Sequence, residues 1–154
     1  MCPEGGHGGK MDEEVSAFLE HYEAARMSAD GSAVAALYAD NFLFGGPNGT
    51  QTVKKEDFAK AIPRMKAHFA AMGLSETRLQ SASATFLDAK YVLVKARWMM
   101  SIRTSERALK HIDTFATYLL ERESDKLSIV LQIDHQDLAV VIRSLVGDEV
   151  AQHD

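Results

Sequence analysis

Residues 74–104 read LSETRLQSASATFLDAKYVLVKARWMMSIRT, with apolar and polar residues alternating on either side of the break Asp88-Ala89-Lys90. A period of two is the repeat of a strand with one buried face. The pattern continues to residue 135, interrupted at Ser105-Glu106-Arg107 and Ser124-Asp125. It therefore predicts strands over 74–87, 91–104, 108–123 and 127–135. Links this short make antiparallel hairpins, because a parallel crossover needs about a dozen residues or more.

Upstream of that region the period is helical. Val15, Phe18, Leu19, Tyr22 and Ala25 recur at steps of three and four, with Asp12 as the expected N-cap and Asp30-Gly31 as the stop. Ser32 is expected to cap a short second helix through Val34, Leu37 and Tyr38. Asn41-Phe42-Leu43-Phe44 is too short for a helix and reads as a strand, ending in the loop Gly45-Gly46-Pro47-Asn48-Gly49. A third helix over 54–72 carries Phe58, Ile62, Met65, Phe69 and Met72 on one face, with Pro63 inside it and Gly73 as its C-terminal cap. A last helix over 136–146 carries Leu138, Val141, Ile142 and Leu145.

Helices gathered before a meandering sheet imply an α+β fold, a curved antiparallel sheet wrapped around helices. The concave interior of such a sheet is a pocket for a small molecule. The expected organisation is a tail over 1–10, one domain over 11–147 and a short tail over 148–154. A net charge of −5 without a basic stripe argues against nucleic acid as a partner. No apolar run reaches the ~20 residues that span a bilayer, and no signal-peptide core opens the chain. The single cysteine, Cys2, lies in a glycine-rich stretch with His7, so no internal disulfide is expected, and a cytoplasmic location is.

Tyr38-Ala39-Asp40-Asn41, a following strand and a Gly-Pro loop resemble the signature of the nuclear transport factor 2-like (SnoaL-like) superfamily. With the order of elements, the resemblance covers about residues 12–146. It implies a cone-shaped, cystatin-like α+β fold and, as in many relatives, a homodimer through the sheet. His21-Tyr22-Glu23-Ala24-Ala25 and His111-Ile112-Asp113-Thr114-Phe115 resemble the ketosteroid isomerase branch. That likeness implies that Tyr22 and Asp113 form an oxyanion hole, while the position of that branch's base falls on Gly46. The limonene-epoxide hydrolase branch is similar at His111, Asp113 and Asp134, with His111 where that family keeps an arginine.

Alternation places His111, Asp113 and Phe115 on one face of their strand, and Val130, Gln132 and Asp134 on one face of the next, opposite Ile129, Leu131, Ile133 and His135. The resemblance implies that Asp113 and Asp134 face inward. Two aspartates in an apolar cavity would have at least one raised pKa and could serve as acid and base, with His111 relaying a proton and Tyr22 donating a hydrogen bond. Phe18, Phe44, Trp98, Phe115 and Gln132 are the expected ligand-binding side chains. His111, Asp113 and Asp134 also carry metal-ligating atoms, but no HxH or HExxH spacing accompanies them, so neither metal nor cofactor is expected. The ligand expected is small and apolar or cyclic, handled by acid–base chemistry or simply bound.

Overall fold

In a computed structural model, the described residues are 10–28, 30–104 and 108–153. The readings of Cys2, His7 and the break at Ser105-Glu106-Arg107 lie outside them. The elements run α1 (Lys10–Ser28), α2 (Gly31–Ala35), β1 (Tyr38–Gly46), β2 (Gly49–Lys54), α3 (Lys55–Ala71), β3 (Leu74–Phe86), β4 (Tyr91–Arg103), β5 (Leu109–Glu123), β6 (Lys126–Asp134) and α4 (Leu138–His153). Six strands form one curved, open sheet in the order β2-β1-β6-β5-β4-β3. Every pairing is antiparallel except β1 with β6, whose ends the long intervening chain connects.

The α+β architecture and the four long strands agree with the alternation. Five local features differ. β2 occupies residues whose sequence reads as a loop and the start of a helix, because Gly49-Thr50-Gln51-Thr52-Val53-Lys54 is an edge strand with little to bury. α1 starts at Lys10, before Asp12, and α4 continues past residue 146 to His153. The cap of α2 is Asp30 rather than Ser32: its Oδ1 accepts from the amides of Ser32 and Ala33 at 2.9 and 3.3 Å. Tyr38 opens β1 instead of closing α2. No helix among the described residues is long and apolar enough to cross a membrane.

The core lies between α1 and the concave face of the sheet. Val15, Phe18, Leu19 and Tyr22 pack on Val92, Val94, Ala96 and Trp98 of β4 and on Tyr118 and Leu120 of β5. Two polar ties hold the helix in place. Glu23 accepts from Arg78 Nε at 3.1 Å and from the Leu79 amide at 2.7 Å, beside a register shift in β3. Lys66 Nζ of α3 donates to the Arg26 and Met27 carbonyls, which the end of α1 leaves without helical donors.

α3 meets α2 through a close backbone approach. Pro63 has no N–H, so the carbonyl four residues earlier, that of Ala59, loses its helical donor. Gly31 packs against that carbonyl, and a Cβ at residue 31 would lie 2.0 Å from the Ala59 oxygen. Gly73 is required for a second reason. It sits at φ +113 after the helix, and a Cβ there would lie 2.5 Å from the Arg103 oxygen. Gly31→Ala is expected to lower the free energy of unfolding by roughly 1–3 kcal/mol through forced displacement of α3. Urea denaturation measures it, and an unchanged midpoint would refute the close approach.

Candidate functional site

α3 is amphipathic, yet none of its residues is fully buried. Phe58 and Ile62 pack partly against the core, Phe58 meeting the Tyr38 and Phe42 rings at 4.8 and 5.1 Å, and Met65 and Phe69 extend the stripe beyond it. Together the four form one wall of a cavity of about 820 Å³. The opposite wall comes from β4, β5 and β6 through Trp98, Met100, Thr114, Ala116 and Tyr118. The β1–β2 turn and the start of α4 make the rim, where Asn48 Nδ2 donates to Asp137 Oδ2 at 3.2 Å.

The floor is polar and connected. Tyr38 donates to Gln132 Oε1, and Gln132 Nε2 donates to Asp134 Oδ1 at 2.9 Å. A phenol has one hydrogen, so Tyr38 must accept from Tyr22, whose hydroxyl lies 2.7 Å away. Tyr118, whose ring meets that of Tyr22, accepts from Trp98 Nε1 at 3.1 Å. The hydrogens of the chain run in one direction, from Tyr22 through Tyr38 and Gln132 to Asp134. The Tyr22 ring meets Tyr38, Trp98 and Tyr118 edge-on at centroid distances of 6.0, 5.9 and 5.4 Å.

Burial sets the protonation of this floor. It pushes Tyr38 and Tyr118 well above the ordinary phenol range, so both remain neutral hydrogen-bond donors. It also raises Asp134 above 3.8, against the opposing effects of the Gln132 hydrogen bond, Arg26 and His135. Arg26 closes α1 over the same floor, with its guanidinium carbon 4.5 Å from the centroid of the Trp98 ring.

Asp134 reaches the cavity because β6 carries a bulge. Leu119 pairs with Leu131 and Leu120 with Ile129, leaving Val130 as the extra residue. Leu127 and Ile129 face the core before it, and Gln132 is buried after it. Strict alternation puts Ile129 and Gln132 on opposite faces; the bulge brings both inward.

Of the expected site residues, Tyr22, Phe44, Trp98, Gln132 and Asp134 line the cavity. Phe115 stands at its edge with much of its ring exposed. Asp113 corrects the expectation. On β5, Thr114, Ala116, Tyr118 and Leu120 are the inward set, so Asp113 and His111 project from the outer face. There Asp113 pairs with Arg97 at 3.2 Å, and His111 Nδ1 lies 3.0 Å from Ser101 Oγ. The acidic pair is therefore split across the sheet, and Asp134 is its one member in the cavity. Phe18 is corrected too: it is a core residue packed below the site. Arg26, Tyr38 and Tyr118 belong to the site without standing out in the sequence as functional residues. Among the described residues, no three His, Cys, Asp or Glu side chains converge as metal ligands.

The chain resembles solved structures at low identity, which speaks to the fold alone. Aln2 from a Streptomyces species aligns with a TM-score of 0.68 at 16% identity, over 86% of this chain and 95% of that one. An NTF2-like protein with a cystatin-like fold from Novosphingobium aromaticivorans gives 0.66 at 16%, over 88% of each. A ketosteroid isomerase-like protein from Erwinia carotovora atroseptica gives 0.63 at 14%, over 82% of this chain and 96% of that one. No curated protein matches the chain in sequence. A family model described as NTF2-like protein (DUF6841) matches residues 12–137. Its span takes in the whole sheet, α2, α3, all but the first residues of α1 and every residue of the cavity floor, and the chain belongs to this NTF2-like family.

Proposed function

We propose that the protein binds a small, largely apolar molecule in its cavity and carries out proton transfer on it with Asp134. The observation that carries this reading is a carboxyl group raised by burial, set at the end of a hydrogen-bonded chain on the floor of an apolar cavity. A carboxyl tuned upward toward neutral pH can both take and return a proton. Gln132 serves both states. It donates to the carboxylate as found, and by turning its amide it would accept from the acid while donating to Tyr38. The neutral hydroxyl of Tyr118, whose hydrogen the chain from Tyr22 to Asp134 does not use, is the donor for a ligand carbonyl or for negative charge developing on oxygen. Asp134 alone takes the place of the expected pair, and Gly46 supplies no second base.

Asp134→Asn is expected to cut turnover by about 10²–10⁴-fold, measured on cyclic ketones and epoxides, with little loss of fold. Its effect on stability has a definite sign. Because the folded state holds the Asp134 proton more tightly than the unfolded chain, the contribution of Asp134 to stability is fully present below about pH 3.8 and is lost as pH rises through the raised value. The Asn variant lacks this loss, so wild-type and variant melting curves should diverge with rising pH in the variant's favour. Full turnover in the variant would eliminate Asp134 as the proton-transfer group. Absence of turnover by the wild type on every substrate would favour a binding domain without catalysis.

A second reading concerns the outer face and stands beside the first. Leu43, Leu131, Leu119 and Leu93 are successive partners across four strands and form one apolar row there. Phe115 and the Arg97–Asp113 pair stand on the same face. The occupant proposed is a second copy of the chain, forming a homodimer through the sheet. Leu119→Arg places a charge in the middle of that row and is expected to give monomers in sedimentation velocity. A wild type that sediments as a monomer at high concentration would remove this reading.

A further inference from the structure

Arg26 is the one element of the cavity floor that proton transfer at Asp134 leaves without a task. It lies in the last turn of α1 and lines the cavity. Its guanidinium faces the rings of Trp98 at 4.5 Å and Tyr22 at 5.6 Å. A cation–ring contact of this kind satisfies charge but takes none of the N–H donors as a hydrogen bond to oxygen. Among the described residues, no carboxylate forms an ion pair with Arg26 and no acceptor takes those hydrogens.

The neighbouring charges are already engaged. Glu23, one turn earlier on α1, is held by Arg78 and the Leu79 amide. Lys66, the other cation on the cavity wall, is held by the Arg26 and Met27 carbonyls. Asp134 lies near enough for its charge to be felt, without an ion pair. Burial acts to lower the pKa of Arg26 and the Asp134 charge acts to raise it; a guanidinium is basic enough to remain a cation here.

A partly desolvated guanidinium with free donors carries a cost that a matching acceptor removes. The acceptor that fits a planar fork best is a carboxylate, which takes two parallel hydrogen bonds. We infer that the ligand of this cavity is amphiphilic, with an apolar body against the α3 stripe and one carboxylate held by Arg26. The inference rests on the cavity-binding reading above and adds the charge of the ligand to it. It also gives the ligand a fixed orientation, anchored at Arg26 with its remaining length lying over the floor toward Asp134.

Adamantane-1-carboxylate and adamantane-1-methanol test this, being matched in shape and different in charge. Trp98 is the only tryptophan, so its emission reports binding beside Arg26, and calorimetry gives the affinity independently of the fluorophore. The wild type is expected to bind the carboxylate roughly ten- to a hundredfold more tightly than the alcohol at neutral pH. Arg26→Gln should abolish that preference, and Arg26→Lys should restore part of it. Equal affinities in the wild type, a comparison that needs no variant, would overturn the carboxylate and leave the cavity reading standing. A preference that survives in folded Arg26→Gln would overturn the role of Arg26. Failure of both compounds to bind would overturn the cavity reading and the inference with it.

Discussion

Leu120 pairs with Ile129 and Leu119 with Leu131, so one residue of β6, Val130, has no partner on β5. The extra residue inverts the phase of the strand. Before it Leu127 and Ile129 face the core, and after it Gln132 and Asp134 face the cavity. Without the inversion, Leu131 and Ile133 would continue the inward series and Asp134 would stand on the outer face. The floor would then keep its tyrosines and Arg26 but have no titratable group on β6. The hydrogen-bonded chain through Tyr22 and Tyr38 would also end without an acceptor. The acidic group of the site therefore depends on a single unpaired residue.

The cavity has an equally local origin. α1 turns its apolar face to the sheet, where Val15, Phe18, Leu19 and Tyr22 are buried. α3 is held off the sheet by its approach to Gly31 and by the Lys66 tie to the end of α1. Its stripe of Phe58, Ile62, Met65 and Phe69 touches the core only at Phe58 and Ile62 and is otherwise a wall of the cavity. An apolar wall facing a floor of directed hydrogen bonds, an aspartate and an arginine is the arrangement that selects a small ligand by shape first and polar contact second. In the proposed function, Arg26 and Asp134 on that floor divide two tasks, holding the ligand and transferring a proton.

Asp113 shows where reading by resemblance and reading by chemistry part. Its strand alternates His111, Asp113, Phe115, Thr117 against Ile112, Thr114, Ala116, Tyr118 and Leu120, and the second set is the one buried. The presence of Arg97 on the neighbouring outer face was itself a signal that Asp113 had a partner there. Tyr38 reads in the sequence as the end of a short helix, and nothing in a one-dimensional pattern says that its phenol shares a hydrogen bond with Tyr22. Arg26 gave no signal either, since a basic residue in the last turn of a helix is ordinary.

The sequence by itself determined the α+β class, the four long strands with their antiparallel order, the apolar faces of α1 and α3, and the glycine that ends α3. All of these follow from periodicity and local backbone chemistry, which act over a few residues. The tertiary structure alone decided which face of each strand turns inward, the bulge that reverses β6, the edge strand β2, and the convergence of Tyr22, Arg26, Trp98, Gln132 and Asp134. Alternation relates neighbours within a strand to one another, but it carries no absolute direction. That direction is set only when the strands pair and a helix covers one side.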